Sequence, residues 1–295
     1  MRLLQRNDTG EYTLTKFTED NIPQYAILSH TWGDEDDEVS LTDLEKGTAP
    51  TKPGYRKLNF CAKQAAKDGI SYFWIDTCCI DQSSSADVSR AINSMFAWYS
   101  SAATCYVYLS DVSTTSLPST SPIQQDWFHA FKHSRWFTRG WTLQELLAPE
   151  SVHFFSADGK HLGSKEQLLQ ELHSITNINI AALNKTPLSA FSFDERMSWT
   201  RNRQTKLKED LVYSLLGIFD IHMPLLYGEG YDKALVRLKR EYDASQHHHP
   251  SQFPKPGDHI TNTYHAPVFN GAVTGRNVIT GPHVTGGSTM NFNFG

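Results

Sequence analysis

The residues best suited to chemistry lie near the middle of the chain, at 134–149 (SRWFTRGWTLQELLAP). There, Glu145 follows two arginines and two tryptophans. A carboxylate held against an indole and flanked by fixed positive charge can act as a general base or stabilise a cationic transition state. The alternative is a half-exposed helical glutamate that forms a structural ion pair with Arg135 or Arg139. The pattern alone leaves both interpretations open.

The segment around Glu145 is predicted to be a short helix. Pro149 stops it, because proline disfavours helical geometry in the residue before it. Positions four apart meet on one helix face, so Glu145 shares its face with Trp141. The side chains that we expect to face the core are Trp141, Leu143, Leu146 and Leu147.

Four continuous apolar runs are predicted to be buried strands. They are residues 25–30, 71–76, 104–110 and 151–156. Amphipathic helical patterns separate them, at 58–68 and at 88–99, where Asp87 is the predicted cap. Strands that alternate with helices and are apolar throughout predict an α/β fold with a parallel sheet covered by helices on both faces.

In such sheets, ligands bind at the carboxyl ends of the strands. The polar residues and the tryptophan that follow the first three strands are Ser29, His30, Trp32, Asp76, Asp81 and Asp111. We therefore expect a ligand site at this edge. Two alternatives stay open: Asp76 caps the next turn, and His30 is a satisfied hydrogen-bonding residue.

The rest of the chain divides into a helical part and a tail. A capping-box pattern at 164–167 predicts a helix through Leu172. From residue 193 the chain looks all-helical, with helices at 193–203, 209–219 and 231–245, supplying core, although Arg196, Trp199 and Arg201 could reach the cleft. The predicted boundaries are an α/β core at about 20–175, a helical extension at about 190–245, a linker at 246–259 and a tail at 260–295.

Composition narrows the function classes. A net charge of −5 argues against nucleic acid, which needs a concentrated basic face. No apolar run is long enough for a transmembrane segment, and the first eight residues hold no apolar signal stretch, so we expect a cytoplasmic protein. The acidic run 34–38 is expected to be a solvated loop. The four cysteines fit reduced, buried thiols rather than a metal site: Cys61, Cys78, Cys79 and Cys105.

Several nucleotide and hydrolase motifs are missing from the sequence. There is no Walker loop, no Gly-x-Gly-x-x-Gly fingerprint, no His-Glu-x-x-His and no Gly-x-Ser-x-Gly elbow. ATPase, dehydrogenase, zinc protease and α/β-hydrolase functions therefore lose their main support.

Three blocks together resemble the fungal heterokaryon-incompatibility (HET) domain. They are 25–33 (YAILSHTWG), 74–82 (WIDTCCIDQ) and 139–149 (RGWTLQELLAP). The helical continuation is also similar, at 193–197 (FDERM), 215–219 (LLGIF) and 224–230 (PLLYGEG). The resemblance covers residues 1–243 and implies an effector of programmed cell death when genetically unlike fungal cells fuse.

The HET domain in turn resembles a divergent TIR domain, with a TIR/flavodoxin-like sheet. TIR domains that cleave NAD carry a catalytic glutamate in Trp-x-x-x-Glu-Leu, which matches 141–146 (WTLQEL) here. This resemblance implies that Glu145 is catalytic and that NAD is a substrate, with no cofactor. The implied substrate-binding residues are Ser29, His30, Trp32, Asp76, Arg135, Arg139 and Trp141. A long insertion before Trp136 departs from a compact TIR domain.

The tail carries almost no charge and cannot bury a core of its own. Stacked copies could form cross-β structure, and plain disorder is the alternative. The tail resembles sigma-type amyloid signalling motifs of fungal death pathways, which implies self-assembly and a partner with a matching motif, an NLR-type receptor or a hydrolase-type effector. The implied amyloid core is Val268, Asn277, Val278, Ile279, Val284, Gly286, Gly287, Asn291, Phe292, Asn293 and Phe294.

These resemblances predict a cytoplasmic death effector that is triggered by prion-like assembly of the tail and acts by NAD hydrolysis. The alternative is a non-catalytic interaction module that kills after oligomerising.

Overall fold

The computed structural model describes residues 1–114 and 126–247. Its centre is a seven-stranded sheet with the order β2-β1-β4-β3-β5-β6-β7. The strands are β1 (Arg2–Arg6), β2 (Tyr12–Lys16), β3 (Tyr25–His30), β4 (Tyr72–Trp74), β5 (Thr104–Leu109), β6 (Val152–Ser156) and β7 (His161–Ser164). The inner strands β4, β3, β5 and β6 are parallel, whereas β1, β2 and β7 pair antiparallel.

The parallel strands confirm the predicted α/β class. Taken in chain order, their arrangement is 2-1-3-4, which is the start of the flavodoxin-like order. Every residue of β3 and β5 is buried, as expected for strands covered on both faces. The antiparallel strands at the sheet edges were not predicted, because β1 has only Leu3 and Leu4 between polar residues and no residue of β2 is buried.

Twelve α-helices complete the described part of the chain. They are α1 (Leu41–Lys46), α2 (Tyr55–Lys67), α3 (Asp76–Cys79), α4 (Ser85–Ser101), α5 (Asp126–Lys132), α6 (Thr142–Leu147), α7 (Leu169–Thr176), α8 (Ile180–Leu183), α9 (Phe193–Ser198), α10 (Asp210–Tyr213), α11 (Leu216–Phe219) and α12 (Tyr231–His247). Helix α2 packs on β3 and β4, and α4 packs against α6 and α11.

The helix boundaries differ in detail from the predictions. Ser84, not Asp87, caps α4, because its hydroxyl accepts the Asp87 N–H at 3.2 Å. Ser164 and Gln167 exchange the two predicted capping bonds, but α7 begins only at Leu169. Helix α9 is shorter than the predicted 193–203, and the helix predicted at 209–219 is split into α10 and α11. Helix α12 begins at Tyr231, as predicted, and extends two residues beyond the predicted end.

Gly217 lets α11 approach α4 closely. A Cβ atom at this position would lie 2.0 Å from the Cβ of Phe96. A larger residue would push the two helices apart, and α4 and α6 pack against each other next to the site described below.

The predicted tail and nearly all of the predicted linker lie outside the described residues. In the part of the chain that is described, no helix has the length and apolar character needed to cross a membrane. All four cysteines are free and buried, as predicted. Across 1–114 and 126–247, no group of three or more His, Cys, Asp or Glu side chains is arranged to hold a metal ion.

Candidate active site

A cleft of about 890 Å³ opens where the parallel strands end. Of the residues predicted to form a site, those that line it are His30, Trp32, Asp76, Arg135, Arg139, Trp141 and Glu145. Ser29 is fully buried and bonds to the Glu145 carboxyl group. The topology explains this convergence, because β3 and β4 are parallel neighbours and their following loops leave the sheet at the same edge.

Glu145 lies in the first turn of α6, where the helix dipole favours a negative charge. A 3₁₀ helix, Arg135–Thr138, precedes α6 and positions Trp136 beneath it. Gln204 fixes the chain between these two helices, since it accepts the Gly140 N–H at 2.9 Å and donates its own N–H to Thr138 O at 2.6 Å.

A chain of hydrogen bonds reaches Glu145 from the core. The indole N–H of Trp136 donates to Ser29 Oγ at 2.8 Å, and the Ser29 hydroxyl donates to Glu145 Oε2. Trp136 and Ser29 are both fully buried. The Ser29 bond fixes one carboxyl oxygen of Glu145, and a hydrogen bond from Tyr99 also acts on the carboxyl group.

Glu145 is only 4% exposed although its side chain borders the cleft. Burial raises its pKa to about 8, and the negative charge of Asp76 adds to the rise. The hydrogen bond from Ser29 and the positive charge of Arg203 act in the opposite direction. Near neutral pH the protonated carboxyl therefore predominates.

The alternative of a half-exposed structural glutamate does not fit this geometry. No ion pair joins Glu145 to Arg135 or Arg139 in the described part of the chain. Arg203 is the positive group whose charge acts on it. Trp141 shares the cleft with Glu145, as the helix spacing predicted, but is half-buried rather than part of the core.

Asp76 accepts three hydrogen bonds at the edge of the cleft. It accepts from His30 Nε2 at 3.0 Å, from Trp32 Nε1 at 2.7 Å and from the Thr77 N–H at 2.8 Å. Burial alone would raise the pKa of Asp76, but the charge and hydrogen bond of His30 and the bond from Trp32 lower it overall. Asp76 thus bonds within its own helix turn and also borders the cleft.

Asp76 and Glu145 therefore have pKa values moved in opposite directions. Paired titratable groups with this property are typical of acid–base sites. Structural ion-pair networks also shift pKa values, but Glu145 belongs to none in the described residues.

The acidic run 34–38 is exposed at 34–37, as expected of a solvated loop, but it also borders the cleft and its last residue is buried. Asp34, Glu35 and Asp36 line the cleft. Glu38 is buried, pairs with Lys57 and accepts the Gly33 N–H at 2.6 Å. Lys57 also donates to Thr31 O at 3.0 Å, so one buried lysine holds both ends of the loop.

Positively charged side chains also line the cleft. Arg135 donates to Trp32 O at 3.2 Å, and Arg139 borders the cleft beside it. Lys206 reaches over from the helical part and pairs with Glu35, with both side chains largely exposed. The cleft that Glu145 borders is therefore lined by both cationic and anionic side chains.

Sequence reasoning missed Arg203, and none of the three nearby residues that it suggested could reach the cleft lines it. Arg203 is buried and donates to Arg139 O and to Thr142 Oγ1, each at 2.8 Å. No spacing signal links it to Glu145. Arg196 and Trp199 are buried, and Arg196 donates to Ile218 O at 3.1 Å, whereas Arg201 is exposed away from the cleft lining.

Two aspartates expected at this edge also have other roles. Asp111 accepts from Ser134 Oγ at 2.8 Å and from the Arg135 N–H at 2.7 Å, so it positions the 3₁₀ helix. Asp81 accepts from the Ser83 hydroxyl at 2.6 Å within its own turn. Neither lines the cleft.

Comparison with known proteins identifies the family that the chain around this cleft resembles. Residues 25–145 match the family model described as Heterokaryon incompatibility protein (HET), a match that ends at Glu145. These residues therefore match the HET family, which confirms the resemblance for this part of the chain.

The chain is also similar to vegetative incompatibility protein HET-E-1 of Podospora anserina. The two are 52% identical over 242 residues, which is 82% of this chain and 18% of that protein. The chain thus spans less than a fifth of its relative's length. No solved structure matches the chain. The resemblances to TIR domains and to amyloid motifs stay predictions.

Proposed function

We propose that this chain is an effector of heterokaryon incompatibility whose cleft cleaves NAD between nicotinamide and ribose. The match to the HET family and the similarity to a vegetative incompatibility protein support the biological role. The observation that supports the chemistry is the placement of Glu145: a buried carboxyl of raised pKa, aimed by Ser29, at the wall of a cleft that holds charges of both signs.

In this proposal Glu145 acts on the sugar. Its carboxylate orients the nicotinamide ribose and stabilises the oxocarbenium-like transition state, as carboxylates do in glycoside cleavage. The nicotinamide ring of NAD is cationic, and a positive charge close to Glu145 favours its ionised form. A group that is mostly protonated in the free protein thereby becomes charged when the substrate binds.

The remaining cleft residues suit the rest of the dinucleotide. The guanidinium groups of Arg135 and Arg139 match the pyrophosphate, because arginine can bind two phosphate oxygens at once. Trp32 and Trp141 offer aromatic faces for stacking on a ring. Water is the acceptor in the main reaction, and cyclisation of the product is the variant.

Activation is proposed to come from the tail, 260–295, in the cytoplasm. It assembles with copies of itself and with a receptor or effector that carries a matching motif. Stacking raises the local concentration of the attached domains without any new contact between them. The domains then associate and complete the site.

The chemistry is tested with purified, assembled protein, NAD and chromatography of the products. We expect ADP-ribose and nicotinamide from the wild type, and a loss of roughly 10²–10³-fold or more in Glu145→Gln. Glu150→Gln, an exposed neighbour that changes the same charge, serves as the matched control. Undiminished NAD loss in Glu145→Gln would show that the hydrolase proposal is wrong.

The trigger is tested separately in cells. Deleting 260–295 should abolish assembly into puncta and reduce killing at low expression. If puncta and killing are both unchanged, the tail is not the trigger.

A second candidate function is a non-catalytic interaction module. Two largely exposed apolar side chains at the cleft, Leu207 and Tyr227, favour this alternative, as does the neighbouring exposed Leu226. If the chain is such a module, the Glu145→Gln variant should kill cells as efficiently as the wild type, and NAD levels should stay unchanged. If the chain is the proposed hydrolase, the variant should kill less efficiently than the wild type.

A further inference from the structure

His30 is a buried imidazole at the wall of the cleft with one unpartnered ring nitrogen. Its side chain is 2% exposed, yet the residue lines the cleft. Nε2 bonds to Asp76, whereas Nδ1 has no hydrogen-bond partner in the described part of the chain. A buried polar atom without a partner destabilises the fold. A ligand that supplies the missing partner recovers this free energy.

Asp76 determines which nitrogen of His30 carries the proton. The pKa of Asp76 is held below its ordinary value, so its carboxylate is ionised and can only accept hydrogen bonds. Nε2 must therefore be the donor in the 3.0 Å contact. In the neutral ring, this leaves the lone pair on Nδ1.

Asp76 is itself fixed in place. Its second oxygen accepts from Trp32 Nε1 at 2.7 Å, and Oδ1 also accepts the Thr77 N–H at 2.8 Å. The imidazole consequently cannot turn without breaking its bond to a carboxylate held by two other donors. A histidine oriented by a carboxylate, with its other nitrogen free, is the arrangement of a general base.

We propose that His30 is the catalytic base that activates the attacking water in the proposed NAD cleavage. This inference rests on the proposed function and assigns its second step. The bond between ribose C1′ and the nicotinamide nitrogen breaks, and its electron pair goes to the ring, which becomes neutral. The water oxygen bonds to C1′, one water proton passes to Nδ1, and the imidazolium later releases it to solvent.

Glu145 and His30 act on different steps of the proposed reaction. Glu145 faces the positive charge that develops on the sugar, and one of its oxygens is already engaged by Ser29. His30 faces the nucleophile, and Asp76 stabilises the imidazolium that forms. Departure of nicotinamide thus depends on Glu145, whereas capture by water depends on His30.

This division is tested by comparing hydrolysis with base exchange. Isotope-labelled nicotinamide can replace the nicotinamide of NAD when it, rather than water, captures the ribosyl group. We expect His30→Gln to lose roughly 10²–10⁴-fold in hydrolysis, the range for a general base, while label exchange stays within about threefold. Glu145→Gln should lose both reactions. His222→Gln, at an exposed histidine, is the matched control and should change neither.

Other outcomes overturn the assignment. Hydrolysis within threefold of the wild type in His30→Gln would exclude a base role. Equal loss of both reactions would also overturn it: with NAD binding intact, His30 would act on the departure of nicotinamide, and with NAD binding weakened it would be a binding residue. Should His30→Gln not fold, Asp76→Asn tests the same point, because an amide can donate to Nε2 and move the lone pair away from Nδ1. It too should lose hydrolysis and keep exchange. A wild type with neither reaction refutes the proposed function itself.

Discussion

The two ends of the sheet each carry a cavity, and the contrast between them separates a reactive site from a polar surface. The cleft of about 890 Å³ lies at the carboxyl ends of the parallel strands. A second cavity of about 650 Å³ lies at their amino ends. Its polar lining includes Asp68, Tyr106, Ser151, His153 and His161. By size and residue types alone, both would qualify as ligand sites.

The polar groups of the second cavity satisfy one another. Ser151 Oγ lies 3.1 Å from His153 Nε2, and His153 Nδ1 lies 3.1 Å from His161 Nε2. The Tyr106 hydroxyl donates to Asp68 at 2.5 Å. None of these side chains combines burial, ionisable character and an unpartnered atom, as His30 does in the cleft. What distinguishes the cleft is that two of its ionisable side chains, His30 and Glu145, are buried.

The largest effect is expected from the buried ion pair behind the cleft loop. Lys57→Met leaves the buried carboxylate of Glu38 without its cation, which should lower the free energy of unfolding by about 3–5 kcal/mol. Chemical denaturation measures this change. At the other cavity, Asp68→Asn removes the negative charge of an exposed acceptor but keeps an oxygen that can accept the Tyr106 hydrogen bond, so it should lower stability by about 1 kcal/mol or less. Equal losses of stability in Lys57→Met and Asp68→Asn would contradict the contrast between the two cavities.

Glu145 should make stability depend on pH. Its pKa is raised to about 8 from 4.5, so between these values the folded state holds a proton that the unfolded state has lost. The contribution of Glu145 to the free energy of unfolding therefore falls as pH rises from about 4.5 to 8. We compare the free energy of unfolding of Glu145→Gln with that of the wild type. The difference in favour of the variant should be larger at pH 9 than at pH 5 by on the order of a few kcal/mol. Thermal unfolding at both pH values checks this, and Glu150→Gln should parallel the wild type.

Ser29→Ala should shift the pH dependence of NAD cleavage. The Ser29 hydrogen bond lowers the pKa of Glu145, so its removal raises that pKa further. Because the ionised carboxylate is the active form, the activity profile should move to higher pH, with a loss of about tenfold at pH 7 for a shift of roughly one pH unit. Ser151→Ala, the same change at the second cavity, should leave the profile in place.

The smallest effect is expected at the exposed rim of the cleft. Lys206→Met breaks the ion pair with Glu35, in which both side chains are largely exposed. Such pairs contribute about 0–1 kcal/mol, so the free energy of unfolding should change by less than that. A loss of stability as large as that of Lys57→Met would show that solvent exposure does not weaken the ion pair at the rim.

Much of the sheet was predictable, because its inner strands are apolar throughout and each is followed by polar residues. The four parallel strands were placed from this pattern within a few residues. The edge strands were missed, since a half-exposed strand such as β2 alternates weakly and depends on its partner for pairing. The shared edge of His30 and Asp76 followed from topology, but their 3.0 Å contact did not.

By itself, the sequence determined that a parallel sheet would form and that His30 and Asp76 would gather near one edge of it, whereas Glu145 was assigned to the site through the resemblance to TIR domains. Periodicity and the alternation of strands with helices suffice for the sheet and its edge, because both are read directly along the chain. Only the tertiary structure decided the chemistry of these groups. Arg203 acts on Glu145 from a distant segment, and burial, not sequence neighbours, makes the largest contribution to its raised pKa. Desolvation is a property of the packed molecule, so the raised pKa of Glu145 exists only once the chain has folded around it.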